Sequence, residues 1–128
     1  MMVVNQTPKV LVVDDNPVVR DMLADVVTML GYSPDPAANG PEALALFEQN
    51  HYDIVLTDIL MPGMTGFEVL EALRLRDPKI PVVVITGSPV NLDDPRVAQP
   101  GVALVRKPLA VTVLGQVINR LLENRLGS

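Results

Sequence analysis

The chain has 128 residues, 48% of them hydrophobic and 20% charged, enough for one domain with its own core and too few for two. It holds no cysteine, so disulfides, thiolate metal sites and thiol nucleophiles are excluded, and any chemistry falls to oxygen and nitrogen groups. Acidic residues exceed basic ones for a net charge of −5, which argues against a binder of phosphate backbones and hence against nucleic acid as a partner.

The start, Met1 to Pro8, lacks the basic region and long apolar core of a signal peptide and is expected to be a short tail. No later apolar run approaches the roughly 20 residues of a membrane span, so no membrane association and a cytoplasmic location are expected. Lys9-Val10-Leu11-Val12-Val13 is a continuous aliphatic run that suits a central strand covered on both faces, and it ends at Asp14-Asp15. Asn16 can cap a helix with Pro17 at its first position. Val18, Val19, Met22, Leu23, Val26, Val27 and Leu30 recur there at helical spacing until Gly31 closes it.

The next strand, Tyr32 to Ala37, contains Pro34 and Pro36. Alternate residues of a strand aim their N–H groups to the same side, so both missing donors face one way and the segment fits only at a sheet edge. Asn39-Gly40-Pro41 opens a second helix with Ala43, Leu44 and Phe47 inward, and Asn50 ends it. Asp53-Ile54-Val55-Leu56-Thr57-Asp58 reads as a buried parallel strand that stops at a carboxylate, before the break Ile59 to Gly66. Gly66 to Arg76 reads as a helix with Phe67, Val69, Leu70 and Leu73 inward, stopped by Asp77-Pro78.

Ile80 to Ile85 is another buried strand, ending at Thr86-Gly87-Ser88. Pro89 to Gly101 carries three prolines and two adjacent aspartates, so only one short turn, around Pro95 to Ala98, is expected where a fourth helix belongs. Val102 to Val105 gives a fifth strand, ending at Arg106-Lys107-Pro108. A final helix, Leu109 to about Leu126, sets Ala110, Val113, Leu114, Val117, Ile118, Leu121 and Leu122 on one stripe. Alternating strands and helices imply a parallel α/β sheet with right-handed crossovers. Of the two common doubly wound orders, the flavodoxin-like 2-1-3-4-5 places the proline-bearing second strand at an edge and is chosen for that reason.

In that order the first and third strands are neighbours, so Asp14, Asp15 and Asp58 converge at the carboxyl end, with Thr86 and Lys107 on the same edge. Packed carboxylates repel unless a cation or a proton compensates them. An all-oxygen site of this kind suits Mg²⁺, and a carboxylate needs no base to act as a nucleophile on phosphorus at neutral pH.

With Val10-Leu11-Val12-Val13-Asp14-Asp15, Asp58 to Gly66, Thr86-Gly87 and Lys107-Pro108 together, the chain resembles the receiver domain of two-component response regulators, over residues 9–126. The resemblance implies that Asp58 is the phosphoacceptor, Asp15 a direct Mg²⁺ ligand and Asp14 a ligand through water. It further implies that Leu60 supplies a backbone carbonyl to the metal, that Thr86 is the switch hydroxyl, that Lys107 pairs with the phosphate, and that the bond before Pro108 is cis. The implied donor is a histidine kinase or histidine phosphotransfer protein, and a homodimer is admitted. The domain is then no enzyme in the ordinary sense; it assists its own phosphorylation and slow autodephosphorylation. Leu60 and Ser88 flank the site and are expected to tune the lifetime of the phosphate.

Two departures from the family pattern stand out. Leu104 lies three residues before the lysine, where receivers usually carry Tyr or Phe, and the fourth helix is proline-broken and slightly short. A degenerate receiver that docks proteins without phosphorylation is therefore the alternative. An aspartyl phosphatase on a related sheet would need a second acid two residues after the nucleophile, and Leu60 holds that position. Asp14-Asp15 alone would read as a helix-capping pair, and Lys107 alone as a solvated lysine. His51, the only histidine, falls between helix and strand, away from the carboxyl edge, and is expected at the surface. Asp93 and Asp94 are expected to be solvated, and the methionines to fill gaps. No helix-turn-helix or effector domain is written in the 128 residues, which suits a stand-alone regulator or a piece of a longer protein.

Overall fold

The computed structural model describes residues 7–126; most of the expected tail over residues 1–8 lies outside them. Five strands run β1 (Lys9–Val13), β2 (Ser33–Ala37), β3 (Ile54–Asp58), β4 (Val82–Thr86) and β5 (Val102–Arg106). Four helices join them, α1 (Pro17–Met29), α2 (Gly40–Gln49), α3 (Gly66–Arg76) and α4 (Val111–Leu126). The sheet is all parallel in the order β2-β1-β3-β4-β5, as the two prolines required. The Ser33 N–H donates to the Pro8 carbonyl at 2.9 Å, so the odd-numbered donors of β2 face β1 and the two proline nitrogens face the open edge.

Each face of the sheet has its own core. Val10, Val12, Ile54, Leu56, Val83, Ile85 and Val105 meet α1 and α4 through Leu23, Val26, Val27, Leu114, Ile118 and Leu122. On the other face Leu11, Val13, Val55, Val82 and Val84 meet α2 and α3 through Ala43, Val69, Leu70 and Leu73, with Tyr52 and Ile80 filling the flank. Every residue of β3 and β4 is buried, which is why those strands read as unbroken apolar runs.

The helix starts follow the residues named for them. The Asn16 side chain accepts from the Val18 N–H at 2.9 Å, and the Asn39 side chain from the Glu42 N–H at 2.8 Å. At α3, Thr65 and Glu68 form a reciprocal capping box. Gly31 takes φ +92 just past α1, a conformation that glycine adopts without steric cost.

Several expectations are corrected. Val18 is 75% exposed and Met22 40%, and Val113 is 47% exposed, so the apolar stripes of the first and last helices are narrower than their periodicity suggested. Ala110 precedes α4 and is exposed, and the helix begins at Val111 rather than Leu109. The β4 ladder starts at Val82, because Pro81 brings only a carbonyl, which accepts from the Val55 N–H at 3.0 Å. Between β4 and β5 there is no helix among the described residues. A turn closes at Asp94, whose carbonyl accepts from the Val97 and Ala98 N–H groups, where the one short turn was expected.

Candidate functional site at the carboxyl edge of the sheet

Asp14 follows β1 directly, Asp58 ends β3, Thr86 ends β4 and Lys107 follows β5. The shared register of the parallel strands delivers all four to one edge. Asp14, Asp15 and Asp58 each offer a carboxylate oxygen within 4.8 Å of the others. Asp15 is exposed, whereas Asp14 and Asp58 are buried.

Asp58 is held from two sides. Its Oδ1 accepts from the Ile59 N–H at 2.8 Å, and Lys107 Nζ donates to its Oδ2 at 3.3 Å. The chain also crowds it from behind, since a Cβ at Gly66 would lie 2.1 Å from the Asp58 carbonyl oxygen. Only glycine fits there, and the Gly66 N–H donates to the Ile59 carbonyl at 2.9 Å to close the loop.

Asp14 is 1% exposed, and its Oδ1 accepts from the Asn16 N–H at 2.9 Å. Its Oδ2 is buried without a hydrogen-bond partner among the described residues. Burial raises the Asp14 pKa above the ordinary carboxylate value. The Asn16 amide opposes this, Asp58 adds to it, Lys107 opposes it and Asp15 adds a little more. Three clustered carboxylates, one with an orphaned buried oxygen, make a donor set that fits a hard divalent cation.

Among the described residues the Thr86 hydroxyl makes no hydrogen bond with Asp58. It is 1% exposed and accepts from the Ser88 N–H at 2.9 Å, while the Thr86 carbonyl accepts from the Lys107 N–H at 2.8 Å. The Lys107–Pro108 peptide is cis. Leu60 sits two residues beyond Asp58 with its side chain 64% exposed. Leu104 is half-buried against the α2–α3 face.

The residues set aside stay aside. His51 is exposed and pairs with Asp53 at 3.1 Å, at the opposite end of β3 from Asp58. Asp94 binds the Arg96 guanidinium at 2.8 Å; that bond, with the Arg96 amide, lowers its pKa to about 2. Sequence reasoning missed the supports that act through main-chain atoms, namely the Asn16 and Ile59 amides and the Arg20 guanidinium, which donates to the Asp14 carbonyl at 2.9 Å. Main-chain contacts leave no residue-type signal.

Fold and site together define a receiver-type α/β domain. Residues 10–119 match the response regulator receiver domain, and the chain belongs to that family. Among its relatives, the sensor histidine kinase RcsC of Escherichia coli is 34% identical over 115 residues, which cover 89% of this chain and 12% of that protein. The gliding motility regulatory protein of Myxococcus xanthus is 36% identical over 117 residues, 88% of this chain and 15% of that protein. The chain thus spans only a small part of these relatives' length. Of solved structures, the chemotaxis protein CheY4 of Vibrio cholerae superposes with a TM-score of 0.83 at 29% identity, covering 91% of this chain and 99% of that one. Response regulator TrrA of Thermotoga maritima, in complex with Mg²⁺–BeF, superposes with a TM-score of 0.82 at 31% identity over 90% and 99%. Among the described residues no helix is long and apolar enough to cross a membrane.

Proposed function

We propose that residues 9–126 are one receiver domain that takes a phosphoryl group onto Asp58 from the phosphohistidine of a histidine kinase or phosphotransfer protein, in a Mg²⁺-dependent reaction. The observation that carries this reading is the buried, unpartnered Asp14 Oδ2 beside Asp58, a carboxylate that folding leaves short of one positive neighbour. Asp14, Asp15, Asp58 and the Leu60 carbonyl would hold the cation. Once bound, Mg²⁺ supplies charge neutralisation at the phosphoryl oxygens.

The remaining chemistry belongs to the chain. An Asp58 carboxylate oxygen attacks phosphorus as the bond from phosphorus to the donor's imidazole nitrogen breaks, and that nitrogen keeps the electron pair. Lys107, already on Asp58 Oδ2, follows the negative charge onto the phosphoryl oxygens. The Ile59 amide fixes the carboxylate plane during the attack. Thr86, one strand over, turns its hydroxyl to donate to the new anion, and the added charge biases an inactive–active equilibrium. Water then hydrolyses the acyl phosphate slowly. Such a donor places the domain in the cytoplasm.

The test is an intact-mass measurement after incubation with acetyl phosphate, with and without Mg²⁺. A gain of one phosphoryl group that needs Mg²⁺ and is lost in Asp58→Asn is expected. A protein that neither gains mass nor binds Mg²⁺ is instead the phosphorylation-independent docking module.

A further inference from the structure

We propose that the cleft at the amino end of the sheet, opposite the three aspartates, is a second binding site of this chain, for a small organic phosphate. Its phosphate groups would meet Arg74, Lys79 and Arg125, and its apolar body would lie on Pro81, Pro100 and Leu121. The site stands whether or not Asp58 accepts a phosphoryl group.

The cleft is built from the element ends that the acceptor site does not use. Pro81 leads into β4 and Gly101 into β5, while Arg74 stands in the last turn of α3 and Arg125 in the last turn of α4. Strands of five residues, at about 3.3 Å each, put it roughly 15 Å from the carboxyl edge. Its volume of about 710 Å³ is within the range of small-molecule sites. Gly101 keeps it open, since its φ is +79 and a Cβ there would lie 3.0 Å from Arg74 Nη2.

The charge of the cleft runs against that of the chain. The net charge of the sequence is −5, yet the residues lining the cleft include three cations and no carboxylate. Asp77, just outside the lining, pairs with Arg125 at 2.8 Å. Arg74 has no such partner among the described residues: its Nε and Nη2 donate to the Ile80 and Pro100 carbonyls at 3.0 Å, and burial lowers its pKa, with Asp77 opposing. A half-buried guanidinium bonded only to neutral groups is still short of an anion. The arginines also tie down loop carbonyls, Arg125 reaching that of Lys79 at 3.1 Å, but each uses only two of its N–H groups in the bonds given. Lys79 has no such structural task. It is exposed, and its ammonium makes no hydrogen bond or ion pair among the described residues.

Two guanidinium forks and an ammonium in one cleft match the many oxygens of a phosphate or diphosphate better than the two of a carboxylate. The apolar wall calls for more than a bare anion. Two of its three residues are prolines, which leave no N–H unpaired beneath a ligand's apolar body.

The probe is ADP, titrated into the isotope-labelled domain and followed by amide NMR, with EDTA present so that no cation bridges it to the aspartates. Adenosine, inorganic pyrophosphate and a hexaglutamate peptide are titrated in parallel. Shifts are expected at Arg74, Lys79, Gly101 and Arg125 and not at Asp14, Asp58 or Lys107, with ADP saturating at several-fold lower concentration than adenosine or pyrophosphate. Lys79→Glu removes no side-chain bond of the fold, so it is expected to weaken ADP about tenfold while leaving the thermal midpoint unchanged. No shifts at millimolar ADP, shifts spread over exposed arginines and lysines alike, or equal affinity in Lys79→Glu would each overturn the site. Pyrophosphate binding as tightly as ADP would overturn its assignment to an organic phosphate, and tighter binding of hexaglutamate would make the cleft a peptide surface instead.

Discussion

Asp14 Oδ2 is a buried carboxylate oxygen with no donor among the described residues, and its cost has a sign that can be measured. Burial, opposed in part by the Asn16 amide, raises its pKa. A carboxyl raised in the folded state holds its proton longer there than in the unfolded chain, so stability declines as pH rises from the unfolded pKa, about 3.9, through the folded one. The full cost stands above the folded pKa. Asp14→Asn keeps an oxygen for the Asn16 amide and removes the charge, so its thermal midpoint at pH 7 without Mg²⁺ is expected a few degrees above that of the natural chain. It is also expected to lose the rise in midpoint that Mg²⁺ gives the natural chain. A lower midpoint without Mg²⁺ would mean the charge is already compensated. Asp14, Asp58 and Lys107 were legible because each ends a strand or follows one directly, and topology carries strand ends to one edge. The Arg20 guanidinium on the Asp14 carbonyl was not, because its acceptor is a main-chain atom that leaves no residue-type signal.

At the scale of elements, the prolines of β2 did more to define the sheet than any apolar run. Two donors missing on one side gave the edge position, and the edge position gave the strand order. The same residues guard that edge against pairing with another chain. Replacing Pro34 and Pro36 together by Val restores two outward N–H groups on a β-prone segment. The double variant is expected to keep the fold and to self-associate at concentrations where the natural chain does not, as followed by sedimentation. A variant that stays as dispersed as the natural chain would show that the prolines are incidental to solubility. The helices were harder to read at their surfaces. Val18, Met22 and Val113 satisfy the apolar period yet lie beyond the strip that the sheet covers, since spacing marks a stripe without marking its width. The helix missing between β4 and β5 was visible beforehand, because three prolines cannot share one helix.

For the molecule as a whole, the proposed acceptor site is assembled from groups at the carboxyl ends of neighbouring strands. The site is tightly specified: the Ile59 amide on Oδ1 and Lys107 on Oδ2 fix the Asp58 carboxylate from two sides, while Gly66 lets the chain pack against the Asp58 main-chain carbonyl. The central claim is that this carboxylate takes the phosphoryl group. Its most direct test is borohydride trapping after acetyl phosphate and Mg²⁺, in which hydride reduces the acyl phosphate to an alcohol and peptide mapping finds the altered residue. Homoserine is expected at position 58 and at no other aspartate, with none formed when Mg²⁺ is withheld. Homoserine at Asp14 or Asp15, or at no residue of a protein that has gained phosphoryl mass, would contradict it.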